Sequence, residues 1–156
     1  MYHDLIHAIA DRLRSIPDIG MVHTYTRYAA ESSRLLDLYK VTIDGVEQLR
    51  GWYVTLAQRN PLTLTDSHFG GLTERYTIEA VGILGVDDGR ESEHTFYTLC
   101  ETVVRTLTHC PLPLEGVLQA EAQAATWQVN DHRLFGNALC HYAEIALPVE
   151  VIREVG

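Results

Sequence analysis

Leu5, Ile6, Ile9, Leu13 and Ile16 recur at helical spacing, while His3, His7, Asp11 and Arg14 fall on the opposite side. This predicts an amphipathic first helix over Tyr2 to Ile16, stopped by Pro17, with Gly20 in the turn beyond. From Met21 to Leu38 the apolar positions Tyr25, Tyr28, Ala29, Ala30, Leu35 and Leu36 keep no single period, which reads as an extended arm with room for a short helix. Leu38 to Ile43 then favours a strand and runs into Asp44 and Gly45, a dipeptide that tolerates the positive φ angles of a two-residue hairpin turn. Val46 to Ala57 is the expected partner strand. Asn60 and Pro61 end it, and Leu62 to Gly71 reads as an exposed loop.

The next strand, Leu72 to Val86, places Tyr76, Ile78 and Ala80 on one face and Thr77, Glu79 and Val81 on the other. Gly82 and Gly85 predict a bend or bulge near its end. After the turn Asp87, Asp88 and Gly89, Ser92 is the expected cap of a second helix whose start carries Glu91 and Glu93. Phe96, Leu99, Cys100, Val103, Val104 and Leu107 form its apolar stripe, and the pattern ends by Pro111. Leu114 to Ala125 reads as a loop or short helix. Ala125 to Val129, a turn near Asn130 and Asp131, and Leu139 to Val151 read as a closing strand pair. In the last of these Ala143, Ile145, Leu147, Val149 and Val151 alternate with Tyr142, Glu144, Ala146, Pro148 and Glu150. One face is therefore core, and Pro148, which has no N–H, points to a sheet edge.

These elements predict an α+β fold in the order α-β-β-β-α-β-β. A mixed, mainly antiparallel sheet is flanked by two main helices in one domain over residues 1–156. The arm 21–37 and the loop 59–71 are the expected interaction segments. A chain of 156 residues, 46% hydrophobic and 21% charged, is ordinary globular composition and long enough for its own core. Twelve Lys and Arg against twenty-one Asp and Glu leave a charge of −9, which repels phosphate and anionic lipid. Apolar runs such as Ala80 to Val86 are too short to span a bilayer, and Met1 to Asp11 carries Asp4 with no basic region, the pattern of neither a signal nor a transit peptide. Cys100, Cys110 and Cys140 are an odd set without paired short spacing and read as buried thiols.

Chemistry is sparse. His3, His7 and Asp11 at i, i+4 and i+8 could share a helix face with a divalent metal, but a solvated polar face explains them better, and no metal or cofactor is expected. Asp66, Ser67 and His68 are consecutive, so their side chains splay apart; turn chemistry explains them better than a triad. Glu74, Glu79, Glu93 and Glu101 fall where solvated faces are expected, so no catalytic residue is assigned. Trp52, Tyr53 and Phe69 flank or occupy the loop after the hairpin and make candidate interface anchors; Trp127, Phe135 and Tyr142 form a similar aromatic set near the closing strands, from which Tyr142, together with Glu144, completes the expected interface.

The leading helix Tyr2 to Ile16, the hairpin LYKVTIDGVEQLRGWYVTL, the helix after VDDGRES and the final strand CHYAEIALPVEV together resemble the tail terminator, or tail-completion, family of long-tailed bacteriophages, which includes minor tail protein U and Mu-like tail proteins. The resemblance covers nearly the whole length and rests on the order and size of elements. It implies a virion protein, made in the host cytoplasm and assembled as a ring, expected to be a hexamer. Such a ring caps the tail tube protein and meets the head-tail connector, with DNA only as cargo passing through its lumen. The long arm departs from the pattern and fits a head-closure or neck protein; an injection-system adaptor would share the fold and differ only in partners, and a small ligand-binding domain or enzyme, with the scattered His residues and the Asp66 to His68 loop as its site, is the competing class.

Overall fold

The computed structural model describes residues 2–27, 29, 31–59, 63–64 and 71–154. It is a single-domain α+β protein built on three long neighbouring strands, β3 (Val46–Arg59), β5 (Gly71–Gly85) and β9 (Ala138–Glu154). Shorter strands cover their flanks. On the β3 side lie β1 (Met21–His23), which pairs in parallel, and β2 (Lys40–Ile43), which pairs antiparallel. β4 (Thr63–Leu64) pairs with the start of β5, while β6 (Gln119–Ala122), β7 (Thr126–Val129) and β8 (Arg133–Phe135) follow one another along the outer edge of β9. Among the described residues the sheet is mixed only through β1.

Helices α1 (Tyr2–Arg14) and α3 (Ser92–Leu107) pack side by side on the same face of this sheet, so both main helices lie on one side instead of enclosing it. α1 buries Leu5, Ile6, Ile9, Ala10 and Leu13, and α3 buries Phe96, Leu99, Cys100, Val103 and Leu107. Both stripes are those of the sequence, because 3.6-residue periodicity survives any tertiary arrangement that covers one face. Beneath them lie Trp52, Val54, Ile78, Ala80, Ile145, Leu147, Val149 and Val151. Each large aliphatic here contributes about 2 kcal/mol of burial.

The arm contains β1 and a short helix, α2 (Ser32–Asp37), which leads back over the opposite sheet face. There Tyr39, Ile83 and Cys140 form a second, smaller core with Leu38, Leu49, Tyr53, Phe135 and Tyr142 around it. The Tyr39 ring meets Phe135 and His23 edge to face at 4.8 and 4.9 Å. β2 and β3 are joined at Asp44 and Gly45, whose φ angles of 52° and 76° are those of the expected tight turn.

Five local expectations are corrected. Gly82 and Gly85 make no bulge, since β5 pairs with β9 without interruption; the irregularity is in β3, between Leu56 and Gln58. Gly82 is needed for a different reason, because a Cβ there would lie 2.6 Å from the Trp52 ring. Pro148 is not at a sheet edge, for β9 lies between β5 and the short strands. The Pro148 carbonyl accepts the Gln123 N–H, so its missing donor would point to that same side, into the gap between β7 and β6. The Ala-rich stretch supplies strand β6, with Ala120 and Ala122 small enough to fit against the core, and the hairpin into β9 turns at Gly136 and Asn137 instead of Asn130 and Asp131. Finally, Ser92 does not cap α3. Glu91 occupies the cap position at φ 54°, without a side-chain cap bond.

Candidate functional site

Among the described residues, the face of β3, β5 and β9 turned away from α1 and α3 is covered by the arm at one end only. Beyond Tyr39 it presents Tyr53 and Thr55 of β3, Thr77 and Glu79 of β5, and Tyr142, Glu144 and Ala146 of β9, all half-buried. Strand alternation puts them there: each sits beside a residue of the helix-covered core. Cross-strand register places Tyr53 opposite Val81, Val81 opposite Glu144, and Glu79 opposite Ala146. Tyr53, Glu79, Tyr142 and Glu144 therefore converge.

Tyr142 Oη donates to Glu144 Oε1 at 3.0 Å, and the Arg133 guanidinium of β8 lies 4.1 Å above the Tyr142 ring. Burial, with the Glu144 hydrogen bond and the neighbouring Tyr53 behind it, pushes the Tyr142 phenol up, while Arg133 works against this. Burial also raises Tyr53, followed by the charge of Glu79. Glu79 is raised above the usual carboxylate range by burial and then by Glu144, a like charge on the adjacent strand. The result is an aromatic and acidic patch with one cation at its rim, suited to contacts with a surface that brings donors or positive charge.

Of the five expected anchors the structure brings together three, Tyr53, Tyr142 and Glu144. Trp52 is corrected: it is fully buried, its ring lying on Gly82 and stacked 6.3 Å from Phe96, so it packs core and meets no partner. Alternation dictates this, since Trp52 and Tyr53 must face opposite ways. Phe69, like Asp66, Ser67, His68 and most of the loop 59–71, lies outside the described residues. The expectation that Glu74 is solvated is also corrected, because its carboxylate is buried on the helix-covered face, accepting from Tyr76 Oη and from Arg153, each at 2.6 Å. Glu79 and Arg133 had no signal in a single strand; only cross-strand register makes them neighbours.

Away from this face, three residues distant in sequence meet at the start of α3. Ser92 Oγ accepts the Asp87 N–H at 2.8 Å and lies 2.7 Å from His141 Nε2, while His141 Nδ1 lies 3.0 Å from His132 Nε2. Ser92 Oγ and His141 Nε2 share one hydrogen bond and His141 Nδ1 and His132 Nε2 share a second, each with its direction set by the ring tautomers. The His141 ring also stacks on Phe96 at 5.8 Å. Burial, then the nearby His132, lowers the His141 pKa, against a smaller opposing pull from Glu93. The chain ties the turn, α3, β9 and the segment before β8 together.

The three cysteines are buried and free, with burial pushing Cys100 to about 12 and Cys140 to about 11, so they stay as thiols. His3 and His7 line a cavity of about 520 Å³ with Tyr2, Tyr25 and Leu56, while Asp11 is instead paired with Arg14 at 2.9 Å. Among the described residues no three His, Cys, Asp or Glu side chains are grouped to hold a metal ion, and no helix is long and apolar enough to cross a membrane. Compared with known proteins, the chain matches no family model, and no curated protein matches it in sequence.

Proposed function

We propose that this chain is a structural subunit of a phage virion, a tail terminator that assembles as a ring on the end of the tail tube and meets the head-tail connector. The observation that carries the reading is the sheet face with Tyr53, Glu79, Tyr142 and Glu144: α1 and α3 cover one side of the long strands, the arm covers one end of the other, and among the described residues nothing covers the remainder, which suits it to a partner. The element order quoted for the resemblance, a leading helix, a hairpin, a long strand, a helix and a long final strand, supports the same reading. So does the charge, which keeps a lumen from binding DNA that passes through it. In this role the protein acts without catalysis or cofactor, in the virion and, during assembly, in the host cytoplasm.

One observation favours a hydrolytic reading, the Ser92, His141 and His132 chain, which has the spacing of a nucleophile, base and orienting group. Against it, the Ser92 side chain is buried and already accepts the Asp87 N–H. Complementation of a phage lacking this protein decides. The structural reading expects Ser92→Ala to keep activity once folded protein is supplied, and Tyr142→Ala with Glu144→Arg to lose it. Electron microscopy distinguishes a terminator, whose loss deregulates tail length, from a neck component, whose loss leaves finished tails without heads. Loss of complementation by a folded Ser92→Ala variant with normal assembly overturns the reading.

A further inference from the structure

Two surfaces of the molecule combine apolar groups with charges of opposite sign. The first stands beyond β1. Tyr25 is 57% exposed, the half-buried Arg27 places its guanidinium 5.0 Å from that ring and 3.4 Å from His23 Nδ1, and among the described residues Arg27 pairs with no carboxylate. An aromatic capped by a cation projects from that edge. The second lies at the other end of β5 and β9. Val86 (37% exposed) donates its N–H to the Leu139 carbonyl (Leu139 49%), and Leu139 pairs across the hairpin with Leu134 (74%), so three exposed apolar residues run in a row. Beside the row is a cavity of about 240 Å³, lined by Val86, by Asp88, Glu91 and Glu93, and by His94 and the Ser92, His132 and His141 chain. Among the described residues none of these three carboxylates has an ion-pair partner.

The charge distribution along the chain runs the same way. Residues 1–60, which include α1, the arm and β3, hold seven Lys and Arg and seven Asp and Glu. Residues 61–156 hold five and fourteen, so the whole excess of −9 lies in the part that carries the cavity.

We infer that the Tyr25 and Arg27 pair of one copy docks into the Val86 cavity of the next, the ring against the apolar row and the guanidinium among Asp88, Glu91 and Glu93. The cavity has room for about one large side chain, and an Arg stacked on an aromatic is the kind of group that anchors interfaces. Because projection and cavity lie on different strands, β1 and β5 with β9, each copy uses both at once. Such a heterologous contact repeats until rotation closes a ring. This deepens the terminator reading and rests on it.

The test breaks one side at a time. Tyr25→Ala with Arg27→Glu removes the projection, and Asp88→Lys with Glu93→Lys reverses the cavity; Tyr25, Asp88 and Glu93 are exposed and Arg27 is half-buried, and circular dichroism checks that each variant is folded. Light scattering on wild type, with and without tail tube protein, is expected to show closed rings. Each variant alone is expected to remain monomeric. Mixed, they retain one intact projection and one intact cavity, and a species of twice the 17.6 kDa chain mass is expected, with nothing larger. Wild-type rings together with rings from either folded variant overturn this interface and leave the terminator reading standing. Monomeric variants that fail to pair on mixing also overturn it. A wild type that stays monomeric even with tube protein overturns the terminator reading and the interface with it.

Discussion

β3, β5 and β9 present two faces built from alternate residues of the same strands, and the faces have opposite characters. Under α1 and α3 the sheet offers Trp52, Val54, Ile78, Ala80, Ile145 and Leu147, all shut off from solvent. On the other side their chain neighbours Tyr53, Thr77, Glu79, Glu144 and Ala146 are half-buried, and their polar atoms interact across strands. The helix-covered face is specified by volume and dryness, so beneath α1 and α3 it tolerates neither an unpaired charge nor an extra methyl, and the Glu74 carboxylate on the same face is held by Tyr76 and Arg153. The open face is specified by which groups stand next to one another, so it tolerates changes in size and is sensitive to charge.

The sharpest way to break this contrast is to place the same kind of change on neighbouring residues of β9. Ile145→Asp puts an unpaired carboxylate under α3, and a loss of more than about 4 kcal/mol is expected, enough to abolish soluble folding. Glu144→Ala, one residue away on the open face, is expected to cost less than about 1 kcal/mol. Urea denaturation of the soluble fractions checks both, and equal tolerance would reverse the assignment of faces.

Gly82→Ala tests the tightness of the covered face with a single methyl. The new Cβ would meet the Trp52 ring at 2.6 Å, and a loss of about 2 kcal/mol with a shift in tryptophan fluorescence is expected. A silent substitution would mean that Trp52 can move aside.

Ser92→Ala probes the polar chain at the edge of the covered face. It leaves the Asp87 N–H and His141 Nε2 without their buried partner, and a loss of about 1–2 kcal/mol is expected. The same chain sets a pH dependence. The His141 pKa is lowered by burial and His132, and that of His23 by burial with Arg27 and Arg14 behind it. For both, the unfolded chain binds more protons than the folded one between the depressed folded pKa and the ordinary 6.5, so stability rises with pH through that window. Thermal midpoints should therefore be level above about pH 7.5 and fall as pH drops below 6.5, and His141→Gln should flatten part of that slope.

The smallest effect is expected on the open face. Burial and Glu144 raise the Glu79 pKa, so Glu79 opposes folding once pH exceeds its ordinary 4.5. Glu79→Gln is expected to gain about 0.5 kcal/mol at pH 7 and almost nothing at pH 4. A loss at pH 7 would show that its charge is used within the subunit.

Much of the fold was legible because local periodicity records which side of an element will be dry. The stripes of α1 and α3, the turn at Asp44 and Gly45, and the alternation in β5 and β9 were all visible as repeats of about 3.6 or two residues. Repeats do not say which strand lies beside which. Pro148 suggested an edge because its missing N–H is a local fact, whereas the gap between β7 and β6 that receives it is a tertiary one. The Ala-rich segment became strand β6 because β9 offered it a partner, and pairing outweighed propensity. Trp52 was grouped with Tyr53 by adjacency, and the pleat then sent one into the core and the other to the open face. Likewise, Ser92, His132 and His141 had nothing in common along the chain, nor had Tyr53 and Glu79. Sequence by itself determined the faces, since burial acts residue by residue. Only the tertiary structure decided the neighbours, because side chains from different strands meet through a register that no single strand contains.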